Sequence, residues 1–208
     1  MSDSFTVGRR MAVKFYKVKR PFKLRAFNHA FRLPDYFATM IGEKTSVRIA
    51  DLGAGAISTT GSQWPNVEVE VVASDLLAED YGRYYKKLLI PVETQDMEAL
   101  TYPDKSFDIV HCVNALDHCT NPRKALQEMI RISKEWVYLR HASNEGETEK
   151  YAGFHQWNIE KKGDDCRIWS RNDEFLLSEI HPNFKTVMRD EFLSPYPLGV
   201  QVVSTLKL

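Results

Sequence analysis

The 208-residue chain carries 28 basic and 28 acidic residues, so it lacks the net charge of a protein whose whole surface holds nucleic acid. Its 43% hydrophobic and 27% charged residues suit one folded domain and exclude disordered and fibrous classes. No apolar run approaches the roughly 20 residues of a membrane-spanning helix, and residues 1–4 lack the start of a signal peptide, so the expectation is a cytoplasmic protein without membrane insertion.

Residues 1–208 are read as one domain. Its first part, residues 1–42, alternates bases such as Arg9, Lys14, Lys19 and Arg25 with Phe15, Phe22, Phe27 and Phe31. Such interleaving suits a phosphate or an acidic acceptor. The plainer expectation is an extension or lid whose aromatics pack and whose lysines stay in water. Pro21 and Pro34 divide it into short pieces.

From residue 46 to 140 the pattern alternates strands and helices. A first strand is expected over 47–51, a helix from Ser58 or Thr59, a second strand over 67–73 and a helix over 81–87. An apolar run over 88–92 leads to Gln95-Asp96-Met97. A further strand spans 107–113, a helix starts at Asn121-Pro122 with Ala125, Leu126, Met129 and Ile130 at helical spacing, and another strand covers 136–139. Strands separated by helices imply an α/β fold with a parallel sheet covered on both faces.

Residues 142–168, with ten scattered charges and little periodicity, are read as an insertion. Residues 170–208 supply a helix near 173–180 and two closing runs, 184–187 and 200–206, joined by a Pro-rich link and expected to pair antiparallel. Cys112, Cys119 and Cys166 form no Cys-x-x-Cys pair, so no disulfide framework or structural zinc site is indicated; Cys112 sits in an apolar run and is expected in the core.

The segment Asp51-Leu52-Gly53-Ala54-Gly55 ends the first strand in a turn where a ligand can approach bare backbone. A dinucleotide fingerprint would need a third glycine where Ser58 stands, and no Gly-Lys-Ser or Gly-Lys-Thr follows. Acidic and polar residues gather at the strand ends: Asp51, Asp75, Asp96, Asn114 and Asp117. Carboxylates repel phosphates, so this arrangement points to an adenosine bearing a cationic group.

Asp51-Leu52-Gly53-Ala54-Gly55 resembles the first motif of class I S-adenosylmethionine-dependent methyltransferases. Gln95 to Leu100, Pro103 to Val110, Asn114 to His118 and Ala125 to Arg131 resemble, in order, later segments of their type 11 branch. The resemblance implies a Rossmann-like, doubly wound, mostly parallel seven-stranded sheet with an antiparallel C-terminal strand pair, and S-adenosyl-L-methionine as cofactor. It implies that Gly53, Ala54 and Gly55 meet the methionine part with Asp51 in support, that Asp75 binds the ribose hydroxyls and that Leu76 lies on the adenine. Asp96 and Met97 would hold the adenine edge, and Asn114 would face the sulfonium. Ala56-Ile57 and Ser133-Lys134-Glu135 depart from the usual family turns.

No Asn-Pro-Pro-Tyr or Pro-Cys acceptor motif is present. His118, just past a strand end, is the favoured general base for a hydroxyl acceptor; its neighbour Asp117 could orient another donor, be the base itself or cap the loop, and His141 is the second candidate base. The aromatic, amide and imidazole mixture around His155, Trp157 and Asn158 suits a sugar acceptor. It also resembles a segment of methyltransferases acting in glycan synthesis, although an aromatic loop filling the core edge is an equal alternative. Asp117, Asp164 and Asp165 could supply oxygens to a magnesium ion that positions a diol, but adjacent acids in a charged insertion are usually just solvated, so no metal is expected. The reading is therefore O-methylation of a sugar or glycan, a deoxyhexose for example. RNA or another small molecule as acceptor, or a non-catalytic cofactor-binding subunit, are the alternatives; nucleic acid is the less expected partner, and the oligomeric state is not legible.

Overall fold

A computed structural model describes residues 10–11, 13–14, 31–82, 90–148, 150–151, 153, 155–193 and 196–208, with the side chains of 190–199 left aside. The basic and aromatic stretch 15–30, most of the helix expected over 81–87, and Phe154 lie outside these residues.

Ten strands are described: β1 (Ser46–Leu52), β2 (Glu68–Asp75), β3 (Val92–Thr94), β4 (Phe107–Val113), β5 (Ser133–Ala142), β6 (Asn158–Lys162), β7 (Asp165–Trp169), β8 (Glu174–Leu176), β9 (Lys185–Leu193) and β10 (Tyr196–Lys207). Seven form one sheet in the order β3-β2-β1-β4-β5-β10-β9, parallel except where β10 pairs antiparallel with β5 and β9. The expected Rossmann-like, mostly parallel sheet closed by an antiparallel pair is what forms. Sheet order reverses between β1 and β4, and their carboxyl ends open the crevice in which such folds place ligands.

The strand period of two explains what each face meets. On β1 and β4, Val47, Ile49 and Ile109 pack with Leu33, Phe37 and α1 (Ala38–Ile41). Ala50, Leu52, Val110 and Cys112 face the opposite way, into a core with Ala125, Leu126, Met129 and Ile132 of α3 (Pro122–Ile132). That helix starts as its sequence predicts: Asn121 Oδ1 accepts from the N–H of Lys124, and Pro122 occupies the first turn, where its missing N–H costs nothing. Burial of Leu126 and Met129 contributes about 1.5–3 kcal/mol each. All three cysteines are buried free thiols, Cys112 in the core as expected.

Five expectations are corrected. No helix starts at Ser58 or Thr59: Ser58 Oγ donates to Asp51 Oδ2 at 2.6 Å, and the following segment runs against residues 31–33 through Ser62 N–H to Phe31 O and Leu33 N–H to Gln63 O. The described helix after β2, α2 (Ala78–Gly82), begins earlier than expected. Part of the insertion is ordered: after α4 (Glu145–Thr148), β6 and β7 form a hairpin about Gly163, whose φ is +61°, with Ile159, Cys166 and Ile168 turned inward. Only α5 (Leu177–Ile180) of the helix expected near 173–180 is helical, because Phe175 adds β8 to that hairpin as a third strand. The closing strands also run further than expected, β9 to Leu193 and β10 from Tyr196. No helix among the described residues is long and apolar enough to cross a membrane.

Candidate active site

The turn after β1 requires glycine at position 53. Its φ is +69°, and a Cβ there would lie 2.3 Å from the Cβ of Ala115, in the turn after β4. Bare backbone thus lets the two strand ends meet. Backbone hydrogen bonds then fasten this turn to β2: Ala54 N–H to Ser74 O at 3.0 Å, and Gly55 N–H to Asp75 Oδ2 at 2.9 Å.

Asp75 Oδ1 accepts from Leu77 N–H at 2.8 Å. Burial pushes its pKa up, while the N–H groups of Leu77 and Gly55 pull against that shift. A carboxylate has about four lone-pair sites, so two donors leave room for hydroxyls. Beside it Leu76 is 42% exposed, an apolar side chain with open space above it. Gln95 N–H to Asp75 O, 3.4 Å, draws the next loop in, and there Asp96 Oδ1 accepts from Glu98 N–H at 2.9 Å. Met97 brings its Cε to 3.5 Å from the position a Gly53 Cβ would take. The donors, the exposed apolar surface and the glycine turn fit an adenosyl group with a polar tail.

Asp51 lies beneath this turn. Its Oδ1 accepts from His111 Nδ1 at 2.9 Å and its Oδ2 from Ser58, while His111 Nε2 is 3.0 Å from Tyr36 Oη. Burial opposes its ionisation, but His111 and Ser58 outweigh it and hold the carboxyl below its ordinary range. Its support of the turn therefore comes from inside the protein. Asn114 has φ +49°; its N–H donates to Arg140 O at 2.9 Å and its Oδ1 accepts from Ala142 N–H at 3.1 Å, so it ties the ends of β4 and β5 together.

Past Asn114, a 3-10 turn over Leu116–His118 turns Asp117 inward. Three imidazoles surround this carboxylate. His155 Nδ1 is 2.6 Å from Oδ2, His118 Nε2 is 3.6 Å from Oδ2, and His141 Nδ1 is 3.9 Å from Oδ1. Burial works against the negative charge, but His118, the His155 hydrogen bond and His141 outweigh it and hold the Asp117 pKa down to about 2. His141 is also buried, which depresses its pKa to about 4 and makes it a weak base. The His118 side chain is 31% exposed against 11% for His155 and 3% for His141.

The remaining expected acceptor residues serve the fold. Trp157 Nε1 donates to Cys119 O at 2.9 Å, and its ring meets Phe175 edge-on. Asn158 Nδ2 donates to Tyr151 Oη and its Oδ1 accepts from Glu147 N–H, both at 2.6 Å. Both side chains are buried, so among the described residues of this segment it is His155 whose side chain reaches the cluster. Sequence reasoning missed His111, Tyr36, Ser58 and Glu145, whose Oε2 is 3.5 Å from His155 Nδ1. For His111 a signal existed, a polar residue at an inward position of an apolar strand.

Residues 50–139 match the family model described as a methyltransferase domain. Phosphoethanolamine N-methyltransferase of Triticum aestivum is 24% identical over 201 residues, covering 77% of this chain and 36% of that protein. The uncharacterized methyltransferase YcgJ of Bacillus subtilis is 31% identical over 94 residues, covering 42% of this chain and 37% of its own length. This chain spans about a third of the length of the curated relatives it matches. Among solved structures, a SAM-dependent methyltransferase of Thermotoga maritima aligns over 98% of this chain and 99% of its own, at 18% identity and a TM-score of 0.55. An S-adenosylmethionine-dependent methyltransferase of Clostridium acetobutylicum aligns over 94% and 98%, at 15% identity and a TM-score of 0.52. The two share the fold.

Proposed function

From the premise that residues 50–139 form a methyltransferase domain whose methyl donor is S-adenosyl-L-methionine, we propose that this chain methylates a hydroxyl group of a sugar or glycan, with His118 as general base. The observation that carries this reading is the buried Asp117 carboxylate 3.6 Å from the half-buried His118 imidazole, just past the carboxyl end of β4. An unactivated hydroxyl must lose its proton as it attacks, whereas a neutral amine can attack with its own lone pair. A buried anion beside an imidazole stabilises the imidazolium that forms when the proton is taken, and this is the arrangement that hydroxyl chemistry needs.

The cofactor supplies an electrophilic methyl group on a sulfonium. In this reading Asp75 would accept from ribose hydroxyls, Leu76 and Met97 would offer apolar contact to the adenine, and Asp96 would hold its edge. The Gly53–Gly55 turn offers backbone to the methionine part. His118 takes the acceptor proton on a ring nitrogen, Asp117 steadies the resulting charge, and His155 and Glu145 offer hydrogen bonds to neighbouring hydroxyls. Those rim groups are the support for a polyhydroxylated acceptor, since Trp157 and Asn158 are committed to the fold.

The test is incubation of the full chain with methyl-labelled donor and a panel of glycosides, structured RNAs and phosphoethanolamine. Label on a glycoside hydroxyl, insensitive to high salt, is the expected result. Label confined to RNA, with steep salt dependence, or confined to the amine would overturn it. His118→Gln should lower kcat by about 10²–10⁴ with little change in donor affinity. Donor binding with equal inertness of wild type and His118→Gln on every acceptor would favour a non-catalytic subunit.

A further inference from the structure

Asp117 Oδ2, His118 Nε2 and His155 Nδ1 all lie within 4.8 Å of one another. Two imidazole nitrogens and one carboxylate oxygen suit borderline divalent ions such as zinc, cobalt or iron(II), whereas magnesium and calcium favour oxygen-only sets.

Two observations separate this cluster from a chance gathering of side chains. The segments that carry the donors are fastened to each other: Asp117 O accepts from the N–H groups of Gln156 at 2.9 Å and Trp157 at 3.2 Å, and Trp157 Nε1 holds the Cys119 carbonyl. His155 is thereby set opposite Asp117 and His118 before any ligand arrives, so little ordering remains to be done on binding. Secondly, Asp117 Oδ1 and both ring nitrogens of His141 are buried without a hydrogen-bond partner among the described residues. An anion buried with an unsatisfied oxygen is costly, and a cation on its other oxygen would offset that cost. Glu145 Oε2, 3.5 Å from His155 Nδ1, borders the cluster as a further carboxylate oxygen.

We propose that Asp117, His118 and His155 bind one divalent transition-metal ion, with Glu145 as an outer ligand, and that the bound ion takes up the one free lone pair that the neutral His118 ring has for proton transfer. The second half of this proposal rests on His118 being the base. A neutral imidazole has one acceptor nitrogen: with the ion on Nε2 of His118 the ring proton stays on Nδ1, and the ring can take up no further proton. Coordination also requires His155 Nδ1 to give up any proton it holds, which leaves for solvent or returns at Nε2 of the same ring.

The test begins with untagged chain, stripped with chelator and titrated with cobalt(II) alone. The expected result is one cobalt per chain, with visible d–d absorption that one equivalent of zinc(II) abolishes. His118→Gln and His155→Gln should each weaken binding at least tenfold, while His181→Gln, far along the chain at the end of α5, should leave it unchanged. Circular dichroism establishes that the variants fold. No cobalt absorption by folded wild type, or binding indifferent to both His118→Gln and His155→Gln, would overturn the site. Diethyl pyrocarbonate followed by mass spectrometry tests the second half without an acceptor: His118 should be modified in the stripped chain and protected at one equivalent of zinc. Modification at an undiminished rate with zinc bound would overturn the blocking role. Neither readout uses methyl transfer, so an incorrect acceptor or base leaves its mark in the labelling panel alone.

Discussion

Asp51 and His111 stand opposite one another in the parallel β1–β4 register and are hydrogen-bonded, Oδ1 to Nδ1, at 2.9 Å within the core. The contact joins the floor of the glycine turn to the central strand, and Tyr36 extends it to the segment before β1. Replacing His111 with Ala leaves a buried carboxylate supported by the hydroxyls of Ser58 and Thr60. The expected loss of unfolding free energy is about 3–5 kcal/mol, measured by urea denaturation. Tyr36→Phe removes one hydrogen bond and should cost about 1 kcal/mol. Equal stability of wild type and His111→Ala would show that the pair adds nothing to the fold.

Gly53→Ala should cripple donor binding for two separable reasons, the positive φ and the 2.3 Å approach to Ala115 Cβ. The double variant Gly53→Ala with Ala115→Gly removes the collision and keeps only the backbone strain, about 1–2 kcal/mol. Calorimetry with S-adenosylmethionine should therefore find the double variant closer to wild type than Gly53→Ala. By contrast, Gly163→Ala meets nothing within 4 Å and should cost the φ penalty without affecting donor affinity.

The sheet was readable from residue order because β1, β4 and α3 each state their partner in their own periodicity: alternating apolar residues for a strand, and Ala125, Leu126 and Met129 at helical spacing after an Asn-Pro start. Strand ends carrying Asp75 and Asp96 were legible for the same reason. What could not be read is any feature decided across the fold. Ser58 caps no helix because Asp51, seven residues earlier, claims its hydroxyl. Trp157 faces inward because the partner for its indole N–H is a carbonyl 38 residues away. His155 joins Asp117 because the backbone of 156–157 hangs on the Asp117 carbonyl. The β6–β7 hairpin is the exception: inward Ile159, Cys166 and Ile168 about a Gly-Asp turn were present in the sequence, hidden among many charges.

Leu76 is 42% exposed, so shortening it should cost the fold little. If it lies against the adenine, Leu76→Ala should weaken donor binding several-fold with an unchanged melting temperature, and Leu76→Asp should weaken it further. Asp75→Asn, whose amide can still accept one hydrogen bond but turns a donor toward the ribose or the Gly55 and Leu77 N–H groups, should weaken binding more than Leu76→Ala. Donor affinity unaltered in both Leu76 variants would remove this residue from the cofactor site.

His141 makes a prediction about acid stability. Burial depresses its pKa from 6.5 to about 4, so the fold prefers the neutral ring. The unfolded chain then binds more protons between those values, and stability present above pH 6.5 is lost as the pH falls toward 4. From pH 6.5 to 5 the loss assigned to this one residue is about 2 kcal/mol. His141→Leu removes the titrating group and both unpartnered nitrogens, and removal of a buried unpaired polar group is close to neutral or stabilising. Urea denaturation at pH 7.5 and at pH 5 should therefore show a smaller drop for His141→Leu than for wild type, with the variant the more stable at pH 5. The difference between the two proteins is the quantity to compare, because His118 and His155 remain in both. An equal drop would mean that His141 finds a partner on protonation, and Asp117 Oδ1, 3.9 Å from its Nδ1, is the group that would supply it.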